Sequence, residues 1–359
     1  MSRLKAAVVG ATGMAGQQFV QALSNHPNFE VVIMVTSRTV NHYEEALLEA
    51  NGSSRWTQSE PVPDDMRGVP VVSSKQFRPD SVDVIFTAIE SDLAKELEPW
   101  FAQTTPTFST ASAFRYFDDT PLLITGVNDE HAELIRKQQR ERGWKGFVLP
   151  VPNCTVTGLA ITLKPLHERF GINNVLMVSM QSVSGAGRSP GIRTLDILDN
   201  IIPYIPNEEG KVRKELQKIL GQLSGEYIQP AEININCICT RANVLDGHTE
   251  SVFVGLRNQA DLTEIKEAIT GYNPFNNKNL HSAPERMIHI FDDPFRPQPR
   301  LDRDLGGGMT TSMGRLEEEP VLGGVKYVLV SHNTKMGAGK GAVLLAESML
   351  EQGLLIKKR

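Results

Sequence analysis

Residues 4–20 read LKAAVVGATGMAGQQFV: an apolar run, then Gly10-Ala11-Thr12-Gly13-Met14-Ala15-Gly16, then apolar residues at helical spacing. Strand, glycine turn and helix, in that order, form the context in which a glycine pattern marks a dinucleotide site. Glycine lets the backbone turn sharply and approach a pyrophosphate, while the N–H groups and dipole of the helix start favour its negative charge. The spacing is GxxGxxG rather than GxGxxG, and the competing reading is a tight turn that binds nothing. The context favours a cofactor held by Gly10, Thr12, Gly13, Met14, Ala15 and Gly16, with the Thr12 hydroxyl as an added donor.

About twenty residues beyond the glycines, an NAD-binding unit carries an Asp or Glu at the end of its second strand, for the ribose hydroxyls. Here the second run, Glu30 to Val35, ends in Thr36-Ser37-Arg38-Thr39. A guanidinium and hydroxyls without a carboxylate suit a 2′-phosphate, so NADP(H) is expected, with Ser37 and Arg38 as contacts. The competing reading is an exposed polar loop.

Further apolar runs at 69–72, 82–87 and 146–151 alternate with helical patterns such as 14–25 and 129–142, the signature of a mainly parallel sheet. From Thr155 a helix runs to Phe170, followed by longer β-rich runs at 174–183, 233–244 and 250–256, which fit a mixed sheet. A last strand at 326–331 precedes an amphipathic helix at 341–352. Residues 272–303, rich in Pro, Asn, Asp and Arg, read as a long excursion over a surface or toward another subunit. The expected fold class is α/β: a Rossmann-type parallel-sheet domain of residues 1–153 with 336–359, and an α+β domain with a mixed sheet, 154–335.

With 359 residues, 40% hydrophobic and 22% charged, the chain has material for two compact domains. A net charge of −5 and the lack of a long Lys/Arg run argue against nucleic acid as a partner. No apolar stretch reaches bilayer length, and the first residues run straight into a strand, so neither membrane nor leader is expected. Three cysteines make no disulfide framework, which suits a reducing cytoplasm.

Cys154 lies in Pro152-Asn153-Cys154-Thr155, between an apolar strand and a helix. A helix N-terminus lowers a thiol pKa, and its N–H groups can stabilise an oxyanion formed on an attacked carbonyl. A lone cysteine is as often a small buried hydrophobe. Cys237 and Cys239 face the same side of a strand with no His or second Cys pair to complete a metal site, and read as core.

Around Cys154, the segments Ser112-Ala-Phe-Arg115, Gln181-Ser-Val-Ser184-Gly185-Ala-Gly187, Glu208-Glu-Gly-Lys211, Arg241 through His248 and Asn333-Thr334 occur in order along nearly the whole chain. Together they resemble the aspartate-semialdehyde dehydrogenases, particularly the archaeal and fungal branch. The resemblance implies a two-domain architecture like that of glyceraldehyde-3-phosphate dehydrogenase, and a homodimer or homotetramer. It implies NADP-dependent oxidation of L-aspartate 4-semialdehyde, with phosphate, to 4-phospho-L-aspartate, run in reverse in lysine, threonine and methionine synthesis. Cys154 would form a thioester, His248 would accept the hydroxyl proton as hydride leaves, and Gln181 would position the bound intermediate. Arg241 would clamp the substrate α-carboxylate and Glu208 its ammonium, with Ser112, Arg115 and Lys211 around the phosphate and Asn153 supporting the oxyanion. Ser184, Gly185, Gly187 and Asn333 would line the nicotinamide. The rivals are a malonyl-CoA reductase-type enzyme, which offers Glu208 no amino group, and a non-catalytic NADP-binding sensor, which has little use for Cys154, Gln181, Arg241 and His248 together. Glu208 and Lys211 could also be no more than a helical ion pair.

Overall fold

A computed structural model describes residues 3–38, 40–187, 192–276 and 278–358. The first apolar run forms β1 (Leu4–Val9), and the stretch after the glycine turn forms helix α1 (Met14–Leu23). Strands β2 (Phe29–Val35), β3 (Val71–Val72), β4 (Val84–Thr87), β5 (Thr107–Ser109) and β6 (Val148–Pro150) complete a six-stranded sheet in the order β3-β2-β1-β4-β5-β6. Every pairing in it is parallel. Helices α2 (Ser91–Ala102) and α3 (Leu134–Arg142) lie between its strands in sequence. Strand order reverses between β1 and β4, the switch point beside which open parallel sheets bind ligands, and the glycine turn sits there.

The second sheet is mixed, as the change of pattern after Thr155 predicts. Its strands are β7 (Ile172–Gln181), β8 (Ile201–Ile202), β11 (Asn234–Ala242), β12 (His248–Leu256), β13 (Ile288–Phe291), β14 (Thr311–Glu319) and β15 (Gly324–Ser331), in the order β13-β14-β15-β12-β7-β11-β8. A separate hairpin pairs β9 (Gln222–Ser224) with β10 (Tyr227–Gln229). One face of the large sheet packs on α4 (Cys154–Phe170), α5 (Glu208–Ile219) and α6 (Leu262–Thr270), with Leu159, Leu163, Val212, Leu216 and Ile269 meeting Val175, Met177 and Val252 in one core. Cys237 and Cys239 belong to this core. The opposite face leaves Leu176, Val178, Ile238 and Phe253 exposed; register sets Leu176 beside Phe253 and Val178 beside Ile238. Period-two burial along β11 accounts for the alternation in its sequence.

The last helix, α7 (Gly339–Glu351), returns to the first sheet. Its Ala342, Val343, Leu345, Ala346 and Met349 share a core with Val8, Val20 and Phe86. A Cβ on Gly339 would stand 2.7 Å from that of Gln18, so α1 and α7 approach closely only because this residue is glycine. Buried Glu347 receives His26 Nε2 at 2.9 Å and the Ser282 N–H at 3.1 Å, joining helix, first unit and second unit at one carboxylate.

Three expectations change. The helix expected from Asp129 begins as a 3-10 turn, Asp129–Glu133, because Asn128 and Asp129 use their side chains on the N–H groups of Ile124 and Gly126, both at 2.9 Å. Strands β5, β8, β9, β10, β13 and β14 are absent from the sequence reading: the first five are short pieces of two to four residues, and β14 ends in three glutamates. The stretch 272–303 is more than a surface excursion, since it contains β13, carries Ser282 to Glu347, and reaches the first unit again through Lys278 to Asp129 at 2.8 Å.

Candidate active site

The glycine turn is shaped for a close ligand. Gly10 has φ +79°, a Cβ on it would lie 2.3 Å from the Ala88 carbonyl oxygen, and a Cβ on Gly16 would lie 2.1 Å from that of Gly10. Larger residues would break the turn, which leaves Gly13, Met14 and Ala15 on the wall of a cleft of about 530 Å³. The residues therefore fit a dinucleotide. At the far end of β2, Ser37 is exposed, while Arg38 pairs with Glu49 at 2.7 Å and donates to the Leu48 carbonyl. Neither borders the cleft, and Thr39 lies outside the described residues.

The cleft runs from the turn to Cys154 and passes Ser112, Arg115, Asn153, Ser184, Gly185, Gly187, Glu208, Lys211 and Asn333, so most of the residues singled out from sequence meet in one place. Gln181, Arg241 and His248, none more than 6% exposed, stand behind that wall. Strands β7, β11 and β12 are adjacent and carry all three, at the end of β7, near the end of β11 and at the start of β12.

Cys154 is the first residue of α4, and His248 Nε2 lies 3.1 Å from its sulfur. The Ser182 N–H donates to His248 Nδ1 at 3.1 Å and the Ser182 hydroxyl lies 3.2 Å from the same nitrogen, fixing the ring. The expected lowering of the thiol pKa is overturned: burial first, then the Glu208 carboxylate, push the Cys154 thiol up to about 12, against the opposing pull of Arg115, Arg241 and the Thr155 N–H. Burial, reinforced by Arg241, pushes His248 down to about 3. The resting pair is a neutral thiol beside a neutral imidazole.

Asn153 caps α4: its Oδ1 accepts the N–H groups of Thr155 and Val156 at 2.9 and 3.3 Å, and its Nδ2 donates to Glu208 Oε1 at 2.7 Å. The amide NH2 has a second hydrogen that the Glu208 contact does not use, so the expected oxyanion role stays open to Asn153 on the cleft wall. Gln181 Nε2 is 3.3 Å from the same Glu208 oxygen, and Lys211 Nζ is 3.4 Å from Oε2. Arg241 donates to the Ser182 carbonyl at 2.8 Å, directly behind Gly185. Asn333 Oδ1 accepts the Ser182 hydroxyl and the Gly247 N–H at 3.0 and 2.9 Å, and its Nδ2 donates to Ser184 Oγ at 2.8 Å. Ser112 Oγ is 2.8 Å from Ser91 Oγ.

Sequence reasoning passes over Glu215. Fully buried on α5, it accepts Arg115 Nη1 at 3.1 Å, the Tyr116 hydroxyl at 2.9 Å and the Asn153 N–H at 2.7 Å, tying the expected phosphate arginine to the residue before Cys154. Its seven-residue distance from Glu208, two turns along one helix face, is the signal that could have found it. Ser182 and Gly337 are also absent from the expectations; a Cβ on Gly337 would lie 2.9 Å from that of Cys154.

Residues 5–135 match the family model of the semialdehyde dehydrogenase NAD binding domain, and residues 163–336 that of the semialdehyde dehydrogenase dimerisation domain. The chain is 40% identical over 348 residues to the aspartate-semialdehyde dehydrogenase of Methanothermobacter thermautotrophicus, covering 96% of this chain and 98% of the relative. It is 36% identical to that of Candida albicans over 99% of this chain and all of the relative. The crystal structure of the Candida albicans aspartate semialdehyde dehydrogenase with NADP superposes with a TM-score of 0.85 at 34% identity, covering 98% of this chain and 99% of that one.

Proposed function

The chain belongs to the aspartate-semialdehyde dehydrogenase family, and on that premise we propose that it catalyses the reversible, NADP-dependent, phosphorylating oxidation of L-aspartate 4-semialdehyde to 4-phospho-L-aspartate. The observation that carries this reading is the contact of Cys154 Sγ with His248 Nε2, 3.1 Å apart at the end of a cleft that begins at the glycine turn. NADP+ supplies the hydride acceptor. Residues 1–153 with 336–359 hold the cofactor, and 154–335 supply the chemistry and the contact between subunits.

Cys154 attacks the aldehyde carbon, its proton leaving to solvent or to phosphate dianion, and negative charge collects on the carbonyl oxygen. His248 meets that charge. With a backbone N–H aimed at Nδ1, the neutral ring carries its proton on Nε2, facing the sulfur. The part expected of His248 as proton acceptor thus narrows to hydrogen-bond donation toward the alkoxide from which hydride leaves. A phosphate oxygen then adds to the thioester carbon, and sulfur departs as thiolate onto the same N–H.

Arg241 holds the substrate α-carboxylate and Glu208 its ammonium group, with Gln181 keeping Glu208 in place. Ser112, Arg115 and Lys211 receive phosphate. In support, Arg115 Nε is buried at the cleft and has no hydrogen-bond partner among the described residues. Ser184, Gly185, Gly187 and Asn333 face the nicotinamide. Glu208 also argues against the malonyl-CoA reductase alternative, since malonate has no amino group. Two copies associate through the exposed face bearing Leu176, Val178, Ile238 and Phe253, in the region matched by the dimerisation-domain model. No described helix is long and apolar enough to cross a membrane; the three free thiols suit a reducing cytoplasm.

The test is absorbance of NADPH with aspartate semialdehyde and NADP+, with and without phosphate, beside malonyl-CoA with NADPH. Phosphate-dependent NADPH formation is expected. NADPH loss with malonyl-CoA alone would replace this reading with the reductase.

A further inference from the structure

We infer that Arg55 is a second guanidinium of the adenosine 2′-phosphate site, working beside Arg38 and joined to it through one carboxylate, Glu49. The inference rests on the reading of the chain as an NADP enzyme and adds to it a residue that the sequence pattern does not single out.

Arg38 follows β2, where the 2′ edge of the ribose lies in nucleotide-binding sheets of this kind. Its Nη2 donates to Glu49 Oε2 at 2.7 Å. Arg55 Nη1 donates to the other oxygen of the same carboxylate, Oε1, also at 2.7 Å. One carboxylate thus gathers two guanidinia, one on each oxygen, and the trio keeps an excess positive charge.

The position of Arg55 is set by the glycine turn itself. Gln17, on α1, donates through Nε2 to the Thr12 carbonyl at 3.1 Å and to the Arg55 carbonyl at 2.9 Å, while its Oε1 accepts the Thr57 N–H at 2.8 Å. A single buried side chain therefore fixes the distance from the turn that faces the pyrophosphate to the backbone of Arg55. Arg55 borders the cleft together with Gly13, Met14 and Ala15, whereas Arg38 does not. Of the two arginines, Arg55 is the one that lines the cleft.

A phosphate monoester carries close to two negative charges and three acceptor oxygens, enough to engage two planar forks at once. A ribose 2′-hydroxyl carries no charge and gains little from either fork. Arg55 should therefore separate NADP from NAD. If it met the pyrophosphate instead, which both cofactors share, it would affect both alike.

Isothermal titration calorimetry of the full-length protein with NADP+, NAD+ and 2′,5′-ADP, comparing wild type, Arg55→Gln and Arg55→Lys, decides between these roles. Arg55→Gln is expected to weaken NADP+ and 2′,5′-ADP by about 10- to 100-fold, the scale of a charge-assisted hydrogen bond, and to leave NAD+ within about twofold; Arg55→Lys should recover part of the loss. Equal weakening of NAD+ and NADP+, or unchanged binding of NADP+, would overturn the assignment. A wild-type protein that binds no NADP+ would instead defeat the proposed function, before any variant is compared.

Discussion

At Cys154 a helix start and two arginines favour the thiolate, while burial and Glu208 oppose it, and the opposition wins. A carboxylate that disfavours the thiolate is also the group proposed to bind the substrate ammonium. Substrate would neutralise Glu208 and release the thiol from one of the two effects that hold it protonated. With the thiol near 12, its reactivity in the free enzyme should climb with pH through pH 9, because each step toward 12 adds thiolate. Measured by iodoacetamide labelling, a plateau near pH 6–7 would instead reveal a thiolate–imidazolium pair. Glu208→Gln removes the nearby negative charge and should raise labelling at pH 7 by roughly 3- to 10-fold; no change would sink the proposed substrate-linked release. Cys154→Ala should abolish turnover and leave NADP+ affinity within about twofold. The site was legible wherever a motif carried it, as in Cys154, His248, Glu208 and Arg241. Glu215 was passed over because its partner Arg115 lies 100 residues away, and only its helical spacing from Glu208 hints at a place in the site.

The elements carry this site through close backbone approaches. Gly337 leaves room for Cys154 Cβ, and a Cβ on Gly185 would stand 2.8 Å from Arg241 Nη1 and 3.2 Å from His248 Cε1. Gly185→Ala should therefore push the guanidinium or the imidazole off station and lower kcat/KM by about 10-fold or more, with melting temperature changed by only a few degrees. Wild-type kinetics in that variant would mean that the loop gives way freely. Such constraints explain what the sequence could and could not disclose about the fold. The β1–turn–α1 unit was readable because hydrophobic period and glycine placement agree there. Strand β14 escaped because it ends in Glu317, Glu318 and Glu319, a pattern typical of solvated loops, and these three become strand here by pairing with β15.

Across the whole molecule, one sheet face is covered by three helices and the other displays a strip of apolar side chains. Val178→Glu would place a charge in the middle of that strip, next to Ile238. Light scattering should then find single chains where the wild type forms dimers or larger assemblies; an unaltered mass would exclude this face as the contact. The return of α7 to the first sheet has another consequence, which concerns how the protein is made. The six parallel strands are complete by Pro150, but the residues that cover part of their core begin at Gly339. A ribosome adding about 5–20 residues per second needs roughly 10–40 s to bridge that interval. Throughout it the apolar face that α7 covers in the finished fold has no partner from that helix. A chain lacking α7 is therefore expected to leave Val8, Val20 and Phe86 partly uncovered, since Ala342, Leu345 and Met349 share their core.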